Sequence, residues 1–472
     1  MSVALYAVAF GGALLVLSLV QQRRRQSFLP PGPPGDPVVG HLLRMPSADS
    51  PLVFHQWSKI YGPVMHLKIL GRSMIILDTY QVAVDLLDKR GLIYSDRPKF
   101  TLYELLGWKP SLTFLQYGKQ FNIQRQMHQT YLSRHKAEDF KAMQTQEART
   151  LVRNLLESTP ERYEKVLSRF ATGIITQIVA GHRITSDADP YLHMSKMVYE
   201  SFAETGPAGN SPIDFFPLLQ HFPPWFPGAK HEAGVAMPSF ILEQLERMEE
   251  IEDMEQIKGA AATMFSAGEA TVTWGSLCIF ILAMVLHPEC QERAQKEIDS
   301  VVGDTRLPEF SDRGDLPFVE GILQETLRKV MISWKPGVPL GVPHRVVEDD
   351  IYHGMLIPKG SLVFANIKGM SLDESVYSNP TSFYPQRYLP KPAGKGEPDF
   401  SNITFGFGRS MILPWIDQNL YWTITNMVDE SGKIIVPDSS LTDGLVSHPR
   451  DIRCIISPRS AGTKELIMET VA

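Results

Sequence analysis

The chain has 472 residues, 43% hydrophobic and 21% charged, an ordinary globular composition with enough length for one large domain or two to three average ones. A net charge of −6 with acids and bases interspersed argues against nucleic acid as a partner. Cys278, Cys290 and Cys454 are the only cysteines; an odd count without paired spacing makes neither a disulfide framework nor a Cys-x-x-Cys metal site, and fits a reducing compartment.

From Val3 to Val20 the residues are almost wholly apolar, just long enough to span a bilayer, and Arg23-Arg24-Arg25 follow. A cleaved secretory signal would place its charges before the apolar run and a small-residue cleavage site after it. The opposite order predicts a retained signal anchor, with the N-terminus on the lumenal side and everything after Arg25 in the cytosol. Pro30-Pro31-Gly32-Pro33-Pro34-Gly35 comes next. Proline fixes φ and removes donors, so this stretch should be a stiff, extended connector.

Residues 62–71 and 73–77 read as two short strands joined by a glycine turn. Helical patterns dominate from about residue 80 to 335, among them 144–156, 257–286 and 291–302. Beyond Trp334 the pattern breaks into proline-bounded strand-like pieces such as 350–357 and 361–367, while 417–422 reads as a helix. No internal repeat of solenoid period is present.

Phe405-Gly406-Phe407-Gly408-Arg409 is a glycine-punctuated loop followed by Ser410, Met411, Ile412, Leu413 and Pro414. It resembles the signature Phe-x-x-Gly-x-Arg-x-Cys-x-Gly of the cytochrome P-450 superfamily of haem-thiolate monooxygenases, with Phe405 and Gly408 matching. Ser410, Ile412 and Pro414 stand where that signature has arginine, cysteine and glycine. Isoleucine has no lone pair, so the axial slot holds a non-ligand and the resemblance implies no protein metal ligand there. Met411 beside the slot carries a thioether, a group that binds haem iron elsewhere, but such a methionine is more often core filler.

The same resemblance runs through the chain after residue 28. The proline segment is similar to the hinge of microsomal family members, and Ser95-Asp96-Arg97-Pro98 falls in place. Gln116 to Arg125 resembles the Trp-x-x-x-Arg helix that reaches a haem propionate, with Phe121 for the tryptophan and Arg125 kept. Pro343-His344-Arg345 offers a second propionate contact, so Arg125, His344, Arg345, Phe405 and Gly408 are the implied haem-binding residues. Ala267-Gly268-Glu269-Ala270-Thr271 resembles the oxygen-binding groove; Gly and Thr inside a long helix make a local bulge plausible. Thr271 matches the family threonine, Ala270 takes the acid's slot, and Glu269 lies about 100° around the helix. Thr271 and Glu269 are therefore the implied proton-relay residues, against the plainer reading of a Gly-Ala helix packed closely on a neighbour.

Glu325 and Arg328 lie three apart on one helix face, and Arg387 sits in Phe383-Tyr384-Pro385-Gln386-Arg387-Tyr388, which resembles the family's Pro-Glu-Arg-Phe element. The resemblance implies a buried structural network of Glu325, Arg328 and Arg387. Relative to the family pattern the chain looks shortened between Gly234 and Met237 and again after Asp417.

The implied fold is mainly α with small β-sheets, an α+β cytochrome P-450-like fold preceded by one transmembrane helix. Residues 3–20 form the anchor, 21–37 the basic and proline-rich hinge and 38–472 the haem monooxygenase-like domain. The implied activity is insertion of one oxygen atom from O2 into a lipophilic substrate, in secondary metabolism or xenobiotic oxidation. Haem is the cofactor, with NADPH acting through a flavoprotein reductase at the endoplasmic-reticulum membrane. The alternative is a catalytically degenerate, membrane-anchored binding or scaffold protein.

Overall fold

A computed structural model describes residues 28–46, 49–205, 212–222, 254–266, 268, 273–332, 340–400, 403, 422–428, 434–435, 437 and 453–469. The anchor at 3–20 lies outside these residues; among the described ones no helix is long and apolar enough to cross a membrane. The chain divides into two compact units, one of residues 1–98 with 343–366 and a second of 99–342 with 367–472.

The first unit is built on a four-stranded sheet. Strands β1 (Val64–Ile69) and β2 (Arg72–Leu77) form an antiparallel hairpin. β3 (His344–Arg345) and β6 (Leu362–Ala365) complete the order β1-β2-β6-β3, with β6 parallel to β2. β4 (Asp350–Tyr352) and β5 (Met355–Ile357) make a separate hairpin. Both hairpins turn on two residues at positive φ, Leu70-Gly71 and His353-Gly354. Such a turn matches strand twist, and a glycine at its second position removes half the steric cost.

Helix α1 (Ser50–Tyr61) is tied to this sheet by the buried Asp78. The Asp78 carboxylate accepts from Ser58 Oγ at 2.5 Å and Asn366 Nδ2 at 2.6 Å and lies 2.7 Å from His55 Nδ1. The proline segment is held, not free. Pro31 O accepts from His66 N at 3.0 Å, and a side chain on Gly32 would put its Cβ 2.2 Å from His66 O. Only glycine lets this segment lie so close to β1.

The second unit is mainly helical: α2 (Lys119–Tyr131), α3 (Lys141–Leu156), α4 (Tyr163–Ala180), α5 (Pro190–Thr205), α6 (Met254–Ser266), α7 (Gly275–Leu286), α8 (Pro288–Val301) and α9 (Pro317–Ile332). Apolar on every side, α7 is buried along nearly its whole length and forms the centre of the core with Leu151, Leu155, Leu167 and Phe318. Two small antiparallel ribbons pair β7 (Trp422–Thr425) with β10 (Ile455–Pro458), and β8 (Met427–Val428) with β9 (Ile434–Ile435). Gln291 of α8 docks β7 by bonding both main-chain groups of Ile424, at 2.7 and 3.0 Å.

Two local expectations are corrected. Trp422 opens a strand and does not end a helix, because Thr423-Ile424-Thr425 is a β-branched run with a partner in β10. Ile367 begins the short helix α10 (Ile367–Ser371) after β6 has ended at Ala365. The chain's tail carries a helix, α11 (Ala461–Glu469), after the strand at 455–458.

Packing of α6 depends on Gly259. A Cβ there would lie 2.1 Å from Pro110 O and 2.4 Å from Gln124 Nε2, and neither atom can retreat without breaking the 2.7 Å bond that Gln124 Nε2 gives to Pro110 O. Gly259→Ala is expected to destabilise the protein by roughly 2–4 kcal/mol despite alanine's better helix propensity, measured as a shift in urea midpoint. An unchanged midpoint would show that α6 and the 108–115 loop separate freely.

Candidate active-site framework

The helical stretch through 257–286 is distorted where the sequence suggested a bulge. Winding is of the π type at Gly268, Thr273 and Trp274, and Thr273 Oγ1 donates to Gly268 O at 2.8 Å, five residues back. The hydroxyl that bridges the distortion belongs to Thr273, which sequence reasoning passed over in favour of Thr271. Its signal was available, since a threonine five residues after a glycine can bond back across a widened turn. Gly268 also packs closely on α4: a Cβ there would meet Ile175 Cδ1 at 2.6 Å. Close packing on a neighbour and a local bulge are thus both present. Thr271, Glu269 and Ala270 lie outside the described residues, as do Phe405, Gly408, Met411 and Ile412.

Arg125 is half-buried on α2. Its neighbours Gln124 and His128 face α6, where Gln124 Nε2 also donates to Gln256 Oε1 at 3.2 Å. Burial lowers the pKa of His128. Phe121, in the tryptophan position of the family helix, is a buried core residue.

His344 and Arg345 form β3 in the first unit. His344 Nδ1 is 2.7 Å from Tyr94 O, and burial, then the Arg97 charge, hold its pKa well below the usual histidine value. The ring is neutral. Arg345 Nε bonds Asp96 Oδ2 at 2.6 Å, so its guanidinium is committed to a carboxylate within its own unit. Arg97, noted only as part of a matching run, is buried; Nη1 donates to Pro343 O at 3.0 Å, and burial pulls its pKa down to about 10 against the attraction of Asp96. A cation so poorly solvated favours an anion nearby.

The best-formed assembly is the one around Glu325 on α9. Glu325, Arg328 and Arg387 are each 0% exposed. Arg328 Nε bonds Glu325 Oε2 at 2.8 Å and Nη2 bonds Oε1 at 2.5 Å, while Arg387 Nε lies 3.1 Å from Oε2. The remaining donors of Arg328 reach Ser371 O, Pro380 O and Ser382 O. Tyr384 N and Tyr388 OH complete the shell of Glu325, at 2.9 and 3.1 Å. Burying these charges is tolerable because each has both an opposite charge and hydrogen-bond partners.

A haem group tests these residues in two ways. Cations suited to a carboxylate are Arg97 in the first unit and Arg125 in the second, whereas the neutral His344 gives its one N–H to Tyr94 O. The axial thiolate does not fit. Cys278, Cys290 and Cys454 are all buried in the apolar core, where burial pushes the Cys278 thiol well up and the Cys290 thiol to about 12. A reactive thiolate needs the opposite environment. Ile412 fills the family slot in the sequence.

Lys329, next to Arg328, donates to Thr381 O and is buried; desolvation, then the repulsion of Arg328, pull its pKa from 10.5 to about 8. Folding lowers this pKa, so the unfolded chain holds the proton at pH values where the folded chain has lost it. Stability should therefore rise with pH between about 8 and 10.5. Lys329→Met is expected to lack this rise, a difference of roughly 3 kcal/mol across the window in urea titrations. Parallel pH profiles for the two proteins would refute a strained lysine.

The chain matches the family model Cytochrome P-450 over residues 30–255 and 235–411. It is 36% identical to cytochrome P-450 monooxygenase claR of Ampulloclitocybe clavipes, across 94% of this chain and 89% of the relative. Cytochrome P-450 monooxygenase 208 of Postia placenta is 35% identical across 97% of this chain and 96% of its own. Monooxygenase 136 of the same fungus is 34% identical across 99% and 95%. This last alignment runs over 512 positions against 472 residues, so at least 40 of its positions have no counterpart here. The second family-model match ends at Met411, one residue before Ile412. With motifs, helical framework and relatives agreeing over nearly its full length, the chain belongs to the cytochrome P-450 family of monooxygenases.

Proposed function

We propose that the gene behind this chain encodes a monooxygenase inserting one oxygen atom from O2 into a lipophilic substrate. Residues 3–20 would anchor it in the endoplasmic-reticulum membrane, with the body in the cytosol and electrons arriving from NADPH through a flavoprotein reductase. The carrying observation is the likeness to relatives named as cytochrome P-450 monooxygenases across 94% and 97% of this chain, whose motifs follow the family order. Bound through a thiolate, haem would supply the oxygen chemistry, while the protein supplies binding and orientation. Relatives named as cytochrome P-450 monooxygenases support the oxidation itself, and a place in secondary metabolism or xenobiotic oxidation is part of the same proposal.

A specific observation favours a second reading for the polypeptide with this sequence. Ile412 occupies the axial slot, and every cysteine is buried in the core. As written, the chain would be a catalytically degenerate, membrane-anchored binding or scaffold protein. The native transcript across the codons for residues 401–429 decides between them. A cysteine-bearing loop in the message makes the encoded protein a monooxygenase. If the message reads Ile412, the purified protein is expected to show no thiolate-type carbon monoxide spectrum and no substrate oxidation; either signal would overturn the degenerate reading.

A further inference from the structure

Two buried arginines share only one carboxylate in the family network, leaving a net positive charge in a dry site. A second carboxylate is present in the structure. Glu397 Oε2 lies 2.6 Å from Arg387 Nη1, and its side chain is only 9% exposed. The other oxygen, Oε1, accepts from Ser378 N at 3.1 Å and Ser378 Oγ at 2.5 Å. Arg387 Nη1 also donates to Ser378 O at 2.9 Å, so Glu397, Ser378 and Arg387 close a ring of hydrogen bonds. Gln386, the neighbour of Arg387, carries no charge and cannot substitute.

Main-chain contacts hold the same segment. Glu397 N donates to Arg387 O at 2.8 Å and Gly396 N to Leu389 O at 2.9 Å. Gly394 lies so close to the 385–389 turn that a Cβ would come within 2.1 Å of Gln386 O. Downstream, Tyr377 OH donates to Pro398 O, and its ring packs edge-on against the fully buried Phe400 at 5.9 Å. Phe405 is eight residues beyond Glu397 in the sequence.

We propose that Glu397 is a positioning residue, the second carboxylate of the buried network, which balances Arg387 and fixes the segment 396–400 that precedes the glycine loop in the sequence. The role holds whether or not the chain carries haem. Opposite charge beside a guanidinium with directed bonds from Ser378 is charge-assisted and strong. These bonds to Ser378 and Arg387 outweigh the burial that opposes them and hold the Glu397 carboxyl below its usual range. Its stabilisation is therefore present above the ordinary glutamate pKa and is lost as pH falls through the lowered value.

The test compares the full chain with Glu397→Gln, which keeps shape and removes charge, and Glu397→Asp, which keeps charge and shortens reach. Urea midpoints are measured from pH 7 down to pH 3, with hydrogen exchange of the 396–400 and 275–286 peptides at pH 7. Glu397→Gln should be clearly less stable at pH 7 and converge on the native chain at acid pH. Its 396–400 amides should exchange at least tenfold faster while 275–286 stays unchanged. Glu397→Asp should keep the acid-dependent loss; this comparison serves on its own if the glutamine variant does not fold. A deficit of equal size at every pH, or equal exchange in both peptides, would reduce Glu397 to packing and overturn the proposal.

Discussion

Burial of like charges in a confined space is the constraint around which the lower half of the second unit is arranged. Arg328 and Arg387 are both fully buried, and two such cations repel unless carboxylates lie between and beside them. Glu325 lies between, Glu397 beside, and the carbonyls of Ser371, Ser378, Asn379, Pro380 and Ser382 take the donors left over. Those carbonyls belong to a stretch with little regular structure, from the end of α10 to the 385–388 turn. Without the arginines, these carbonyls would lose the donors that tie the stretch to α9 and to the 385–388 turn. The network thus does for an irregular segment what a ladder does for a strand.

How much of this was legible in the sequence differs from place to place for physical reasons. Strands β1 and β2 are short, mostly apolar runs on either side of a glycine turn, and α7 carries twelve successive residues with hardly a polar group, so local pattern alone identifies them. Glu325 and Arg328 were visible as an i, i+3 pair, and Arg387 through its motif. Glu397 was not, because no local spacing links it to Arg387; the 394–396 turn that brings them together depends on Gly394 and Gly396. Thr273 carries no motif in the sequence, and the π-type winding there brings its hydroxyl back to Gly268 O. Trp422 was misjudged because a strand's partner, β10, lies some thirty residues away.

Arg345 shows why type and position do not fix a role. In sequence it stood as a ready partner for a carboxylate ligand, and in the structure the carboxylate it meets is Asp96. His344 beside it is neutral and bound to Tyr94 O. Arg97, buried and poorly solvated, feels the attraction of the Asp96 carboxylate already beside it. Burial, not residue type, separates the three.

The cysteine slot and the arginine network differ in what their loss costs. An axial cysteine contributes a ligand to a cofactor; replacing it with isoleucine exchanges one apolar-sized side chain for another and strands no charge. Removing Glu325, by contrast, would leave two guanidinium groups buried together, a change of the kind that costs roughly 3–5 kcal/mol, a large part of a typical domain's stability. A chain can therefore lose the ligand of its chemistry at little cost to folding, whereas losing the network forfeits a large part of its stability. An intact network is what folding alone favours, so it supports the fold and leaves the question of catalysis to the residues beyond Ile403.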